Sequence, residues 1–210
     1  MEDTGSTEEQ YIESCRKNFW QKVFRLESEY LIEHLKGCHD VLSVGCGPAT
    51  IEGELARRGF NITGLDVSRE ALNCAPDRVR TIAARAEDMS FPDNSFDAVI
   101  FVASLQFIDD YRTALEKSVT VLRSNGRVVI MLLNPASSFF KERHGNPDSY
   151  VSKIKHTDLE AIESAAAERY TVRTEYFLYI NGNEVSADGD GAAALYVITG
   201  VKALDREATV

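Results

Sequence analysis

The residues best suited to chemistry are two glycines and an aspartate between positions 45 and 66. Gly45 and Gly47 follow a short apolar run at 41–44, and Asp66 ends a second apolar run at 61–65. Because glycine has no side chain, a turn built from it can be tight, and a ligand can lie against its backbone. A carboxylate at the tip of the following strand can accept hydrogen bonds from both ribose hydroxyls. This spacing predicts a site for a ligand that contains a nucleoside.

The segments around these residues predict a strand, a turn, a helix and a second strand. Uninterrupted apolar runs at 41–44 and 61–65 are typical of strands that are covered on both faces. Residues 50–58 between them are mostly good helix formers, with Ile51 and Leu55 at helical spacing and Gly59 as a stop. The first turn of such a helix presents unpaired N–H groups and a positive dipole end to a ligand.

Three short motifs identify the family that this unit resembles. They are V-G-C-G-P at 44–48, G-L-D-V-S at 64–68 and F-P-D-N-S-F-D at 91–97. A dinucleotide site would need a third glycine where Thr50 stands, which argues against an NAD-dependent oxidoreductase. Over about residues 37–133 the sequence instead resembles the class I methyltransferases, and most closely their small-molecule branch with the ubiquinone/menaquinone methyltransferases. The resemblance implies S-adenosyl-L-methionine as cofactor and a small-molecule acceptor.

The rest of the chain predicts an alternating α/β fold. Further strands are expected at 79–83, 96–102 and 127–133, helices at 69–74 and 110–122, and a turn at 124–126. A helix at 156–169 and strands at 171–180 and 194–201 follow. The resemblance implies a Rossmann-like, seven-stranded, mostly parallel sheet with helices on both faces. Its last two strands would form a hairpin at the edge, with the last strand antiparallel.

Length and periodicity indicate one domain, at 11–204, after a disordered acidic tail at 1–10. A helical cover is expected at 11–36, where Phe19, Trp20 and Phe24 cluster. These aromatic side chains either pack that cover against the sheet or shape the ligand site. We expect the irregular segment 134–155 to be an insertion on the acceptor side.

The resemblance also implies which residues hold the cofactor. Ser43, Gly45, Cys46 and Gly47 would lie at its amino-acid portion, Asp66 at its ribose, Val67, Ala86, Glu87 and Met89 around its adenine, and Phe101 and Val102 at its methionine moiety. Two positions depart from the family pattern. Similar enzymes usually carry an acid where Ser43 stands and often carry one where Arg85 stands. Weaker cofactor binding is therefore a hypothesis.

The sequence offers no convincing catalytic base. Methyl transfer from a sulfonium depends mainly on the alignment of donor and acceptor, and a base is needed only when the acceptor must lose a proton early. Weak candidates are Gln106, Tyr150 and His156, for which structural roles are the alternative. The basic residues of the 134–156 segment favour an acceptor with a carboxylate or phosphate, unless they belong to an ordinary solvated loop: Lys141, Arg143, Lys153 and Lys155.

Composition narrows the classes of partner. The net charge of −10 and the pI of about 4.9 disfavour nucleic acid and anionic membranes. The cysteines and histidines show no metal-ligand spacing. With no signal-peptide character at the start, we expect a cytoplasmic protein. A non-catalytic methyltransferase-like protein and a protein methyltransferase stay open as alternatives, as does the oligomeric state.

Overall fold

A computed structural model describes residues 18–203 of the chain. Predictions that concern positions 1–17 and 204–210, including the acidic tail, lie outside the described residues. The order of elements is α1 (Asn18–His34), β1 (Asp40–Val44), α2 (Thr50–Arg57), β2 (Asn61–Asp66), α3 (Arg69–Leu72), β3 (Arg80–Ala83), β4 (Phe96–Val102), α4 (Tyr111–Val121), β5 (Leu122–Leu133), α5 (Ser138–His144), α6 (Leu159–Ala167), β6 (Tyr170–Phe177), β7 (Tyr179–Asn181), β8 (Glu184–Ser186) and β9 (Leu195–Lys202). Short 3₁₀ turns lie at Ala86–Asp88, Leu105–Phe107 and Tyr150–Lys153.

Seven strands form one sheet in the order β3-β2-β1-β4-β5-β9-β6. The first five pair in parallel, and β9 is antiparallel to both of its neighbours. This confirms the seven-stranded, mostly parallel sheet and the terminal hairpin. The last strand, β9, is the inner member of that hairpin, and β6 occupies the edge, which corrects the prediction that the last strand lies at the edge. The inner position suits β9, because its successive residues Val197 and Ile198 point to opposite faces of the sheet and are both apolar and fully buried.

Alternation along the strands divides the core into two layers, because successive side chains of a strand point to opposite faces. Val41, Ile100 and Val129 pack on the face covered by α1, α2 and α5. Leu42, Val99 and Val128 pack on the other face, with Leu115 of α4 and Ile162 of α6. Helices therefore cover both faces, as the buried strand pattern predicted.

The later third of the chain holds the largest differences from the sequence predictions. The predicted strand at 171–180 is divided at Leu178, whose φ of 65° breaks the extended backbone, and β7 then pairs with β8 in a separate small hairpin. Segment 134–155 contains the helix α5, which its irregular pattern did not predict. The turn expected at 124–126 is an irregularity within β5, where Asn125 has a φ of 61°.

The site faces the carboxyl edge of the parallel strands. β1 ends at Val44, β2 at Asp66 and β4 at Val102, so the residues that follow these three strands meet at one edge. None of the helices within residues 18–203 is long and apolar enough to span a bilayer.

Candidate functional site

The glycine loop after β1 is attached to the end of β2 by its backbone. The N–H groups of Gly45 and Cys46 donate to the carbonyl of Leu65 at 2.7 and 3.2 Å. Gly45 has a φ of 76°, and a Cβ there would lie 2.5 Å from Cβ of Ser104. Ser104 cannot move away freely, because its hydroxyl donates to the carbonyl of Val44 at 2.6 Å. Only glycine fits at position 45, which leaves bare backbone facing the site.

Asp66 ties this loop to the next turn. Its two carboxylate oxygens accept from the N–H of Gly47 at 2.7 Å and from the N–H of Ser68 at 2.9 Å. Each carboxylate oxygen has a second lone pair, and the side chain is half-exposed at the site. Asp66 can therefore hold the loop and still accept two hydroxyl donors from a ligand.

The turn after β3 forms a third wall. Ala86 is buried and begins a 3₁₀ turn, where the first N–H groups have no acceptor within the turn itself. Glu87 is held from both sides, because its Oε1 accepts from Arg85 at 3.0 Å and from the N–H of Asp110 at 3.3 Å. Arg85 also lies 3.6 Å from a carboxylate oxygen of Asp109. The turn therefore offers backbone donors in a fixed position.

These walls enclose one cavity of about 660 Å³. That volume is within the range of about 300–1,000 Å³ typical of ligand sites. At one end lie the glycine loop, Asp66 and the Ala86 turn. The lining also contains a cluster of aromatic rings that contact one another, here called the aromatic end: Trp20, Phe24, Phe107, Phe139 and Tyr150. The cavity has the size for a nucleoside cofactor at the polar end with an acceptor beside it.

Most residues predicted from the sequence line this cavity. They are Gly45, Cys46, Gly47, Asp66, Val67, Ala86, Glu87, Val102 and Tyr150. Val67 is 68% exposed, which is unusual for an apolar side chain, and its methyl groups are free to pack against the face of a ligand ring. Burial raises the pKa of the Cys46 thiol well above its usual range, so this cysteine is not a nucleophile.

Three predicted contacts with the cofactor lie behind the cavity wall. Ser43 is buried, and its hydroxyl donates to Oε1 of Glu52 at 2.6 Å. Met89 and Phe101 are buried in the core layer of α4 and α6. Phe101 immediately precedes Val102 on β4, and the two side chains take opposite faces because side chains alternate along a strand. These three residues support lining residues and do not themselves line the cavity.

Two of the three weak catalytic candidates have structural roles. The Gln106 side chain is fully buried, and it accepts from the N–H of Leu133 at 2.7 Å and donates to the carbonyls of Leu133 and His156 at 3.1 Å. His156 donates from Nε2 to the carbonyl of Ile108 at 2.9 Å. Both residues fix the segment at 155–156 against the end of β5. Neither one lines the cavity, whereas Tyr150 does.

The basic residues of the 134–156 segment separate into two groups. Lys153 and Lys155 line the cavity, and Lys155 pairs with Asp109 at 2.6 Å. Lys141 and Arg143 do not line it. The Arg143 guanidinium stacks on Phe139, 4.5 Å from the ring centre, and so supports the aromatic end from outside. Of the four basic residues predicted at the acceptor site, Lys153 and Lys155 are the two that line the cavity.

Two lining acids were missed by the sequence analysis, although the sequence contains a signal for them. Glu27 lies on α1 midway between Val23 and Leu31, at spacings of four residues on the buried face. Glu52 follows Ile51 and precedes Leu55 on the buried face of α2. An acid within an apolar helix face is rare unless it has a partner, so this pattern predicts a functional or paired carboxyl. Both residues are under 5% exposed.

Comparison with known proteins agrees with this geometry. Residues 42–130 match the family described as a methyltransferase domain. The chain is 33% identical over 96 residues to the demethylmenaquinone methyltransferase of Tropheryma whipplei, which is 43% of this chain and 40% of that protein. It is 34% identical over 115 residues to methyltransferase GfsG of Streptomyces halstedii, covering 49% of this chain and 41% of that one.

Residues 42–130 match a methyltransferase domain, and the fold is the one found in S-adenosylmethionine-dependent methyltransferases. The fold agrees over almost the whole length. A Thermotoga maritima structure described as an S-adenosylmethionine-dependent methyltransferase, possibly a histamine N-methyltransferase, superposes with a TM-score of 0.73 at 21% identity. The superposition covers 93% of this chain and 98% of the Thermotoga maritima chain. The matches to the curated relatives span about two fifths of their length, so they identify the domain and its fold. Two structures that share this fold are described as S-adenosylmethionine-dependent methyltransferases.

The same fold also carries other chemistry. The [4+2]-cyclase SpnF superposes with a TM-score of 0.64 at 22% identity, covering 76% of this chain and 62% of that chain. A methyltransferase-like fold therefore does not by itself fix the reaction.

Proposed function

We propose that this protein transfers the methyl group of S-adenosyl-L-methionine to a small-molecule acceptor. The observation that carries the proposal is that one cavity is lined both by the glycine loop, Asp66 and the Ala86 turn and by a cluster of aromatic side chains. The net charge of −10 favours a small acceptor over a nucleic acid, because a polyanion would be repelled.

The residues at the polar end fit the cofactor by size and chemistry. Gly45, Cys46 and Gly47 would pass under its amino-acid portion, and Asp66 would accept from its ribose hydroxyls. The adenine would lie near Val67, with the N–H groups of Ala86 and Glu87 as donors to ring nitrogens. Val102 would contact the methionine moiety. Ser43, Met89 and Phe101 would act indirectly, through the residues that they support.

The chain's part in the reaction is positioning. When bound, the cofactor supplies a methyl group on a sulfonium, which is already a good leaving group. The walls of the cavity would hold the acceptor atom in line with the carbon–sulfur bond and exclude water from the site. In such a transfer the acceptor atom would form a bond to the methyl carbon while the carbon–sulfur bond breaks, and the electron pair of that bond would go to sulfur. This mechanism needs no covalent intermediate on the protein.

We infer that the acceptor has an apolar, ring-like body with an anionic substituent. Trp20, Phe107 and Tyr150 offer ring faces to an acceptor. The ring centre of Tyr150 lies 5.9 Å from that of Trp20 and 6.1 Å from that of Phe107. Lys153 belongs to the same turn as Tyr150, lines the cavity and attracts a carboxylate or phosphate. Lys155 also lines the cavity, where it pairs with Asp109. The prediction of an anionic acceptor is therefore retained, but it rests on two of the four basic residues, Lys153 and Lys155.

The test is transfer of label from methyl-labelled S-adenosylmethionine to a panel of small aromatic acids, their neutral amides and phosphate esters. We expect product with at least one acid or ester, and a KM raised roughly tenfold in Lys153→Ala. Lys141→Ala is the matched control, since Lys141 does not line the cavity. Equal turnover of acids and amides would overturn the anionic preference, and no transfer to any member would count against a methyltransferase of this acceptor class.

A further inference from the structure

Two acidic side chains are buried side by side in the cavity wall. Glu27 on α1 is 4% exposed and Glu52 on α2 is 3% exposed, and both line the cavity. Helices α1 and α2 pack against each other, which brings the two carboxyls near one another. Their negative charges interact, since Glu52 contributes to the raised pKa of Glu27. A buried pair of carboxyls is costly unless something neutralises it.

Within residues 18–203 this pair has no cationic partner. Glu52 accepts from the Ser43 hydroxyl at 2.6 Å. The structure gives the Glu27 carboxyl no hydrogen-bond donor and no ion pair among the described residues. Of the cationic residues in the lining, Arg85 and Lys155 pair with Asp109, and no ion pair joins Lys153 to either glutamate among the described residues. Glu27 is therefore a deeply buried acid that faces the ligand space without a protein donor.

The position of the pair indicates which part of the ligand it meets. The turn after β3 and Asp66 at the tip of β2 would take the adenine and ribose of the cofactor. In the sheet order β3-β2-β1-β4, strand β1 lies next to β2. It carries Ser43, whose hydroxyl donates to the Glu52 carboxylate. The substituent on the ribose 5′ carbon therefore passes over the glycine loop toward Glu52. That substituent ends in an amino acid with an ammonium group.

We propose that Glu27 and Glu52 together form the subsite for the ammonium group of the cofactor's amino-acid portion. The inference rests on the proposed use of S-adenosylmethionine. It assigns the acidic contact, which the family resemblance places at position 43, to two helices instead. Ser43 acts as a positioning residue, because its hydroxyl orients the Glu52 carboxyl.

Binding at this subsite should release a proton. Burial raises the pKa of Glu27 to about 8, and it raises the pKa of Glu52 to about 7 despite the hydrogen bond from Ser43. The same cavity is lined by Cys46, whose thiol pKa is raised by burial, by Asp66, whose charge contributes to the raised pKa of Glu52, and by Tyr150 and Lys153 of the 150–153 turn. Without ligand, the pair retains a proton near pH 7. A bound ammonium stabilises the doubly ionised pair and displaces that proton.

The test is a calorimetric titration with S-adenosylhomocysteine, which carries the ammonium, and with 5′-methylthioadenosine, which lacks the amino-acid portion. We expect Glu52→Gln to weaken S-adenosylhomocysteine binding at least tenfold and to leave 5′-methylthioadenosine binding within twofold. Glu27→Gln should act in the same direction. Retained binding of 5′-methylthioadenosine shows that each variant is folded. Glu54→Gln is the matched control, because Glu54 lies on the same helix and pairs with Arg57 and Arg58.

A second readout separates charge recognition from packing. Titration of wild type at pH 7.5 in buffers of different ionisation enthalpy should show proton release with S-adenosylhomocysteine and none with 5′-methylthioadenosine. Unchanged S-adenosylhomocysteine affinity in both glutamine variants would overturn the inference, as would equal weakening of the two ligands. A raised acceptor KM with unchanged cofactor affinity would assign the pair to the acceptor instead. Failure of wild type to bind either nucleoside would overturn the proposed function itself.

Discussion

Asp66 combines a structural role with a proposed binding role. It holds Gly47 and Ser68 by their N–H groups, and it would accept from the ribose. We predict that Asp66→Ala weakens S-adenosylhomocysteine binding by more than tenfold and lowers the free energy of unfolding by about 1–3 kcal/mol. Equilibrium titration and urea unfolding measure the two effects. Asp93→Ala, in the exposed loop before β4, is the control; equal effects in both variants would contradict this role.

The buried acid Glu27 makes stability depend on pH. Its pKa is about 8 in the folded state, against an ordinary value of 4.5. Between these values the unfolded chain has lost the proton and the folded chain keeps it, so Glu27 makes the ligand-free protein less stable as the pH rises from about 5 to 8.

We therefore predict that Glu27→Gln raises Tm at pH 8 by a few degrees and changes it less at pH 5. A chain of this size moves by roughly 2–4 °C per kcal/mol. Scanning calorimetry at the two pH values checks this. Glu29→Gln, an exposed change on the same helix, should leave the pH profile unchanged. Parallel profiles for Glu27→Gln and wild type would show that the Glu27 carboxyl ionises freely in the folded protein, and would contradict the prediction.

At the scale of elements, the glycine loop that follows β1 packs closely against Ser104, which follows β4. Gly45→Ala would need a positive φ and would bring Cβ to 2.5 Å from Ser104. We predict a loss of about 1–3 kcal/mol in stability and loss of cofactor binding. Gly37→Ala is the matched control, because Gly37 has a φ of 84° but no atom within 4 Å of a new Cβ. Equal unfolding midpoints in urea for the two variants would contradict the steric argument.

Helix α1 places the only tryptophan of the sequence in the cavity wall. Trp20 contacts Phe19, Phe24, Phe139 and Tyr150 by its ring. We predict that a saturating aromatic acceptor with S-adenosylhomocysteine reduces iodide quenching of Trp20 fluorescence at least twofold. Free N-acetyltryptophanamide with the same ligands is the control. Unchanged quenching with bound ligands would show that α1 does not cover the site.

At the scale of the molecule, the sequence predicts the sheet well and the far end of the site poorly. Uninterrupted apolar strands and the motif around Gly45 and Asp66 are local patterns, and they place the nucleoside end. The aromatic end depends on α1, α5 and the turn at 150–153 meeting in space, which no local pattern encodes. Gln106 shows the same limit, since its role follows from hydrogen bonds to Leu133 and His156, both far away in sequence.

The most direct test of the central claim is thermal unfolding of wild type with S-adenosylmethionine, S-adenosylhomocysteine or NAD. A ligand that binds only the folded state at a hundredfold excess over its Kd stabilises it by about 2.7 kcal/mol. For a chain of this length that corresponds to a rise in Tm of roughly 5–10 °C. The account predicts this rise with both sulfur nucleosides and none with NAD. No rise with either sulfur nucleoside, or a rise with NAD alone, would contradict it.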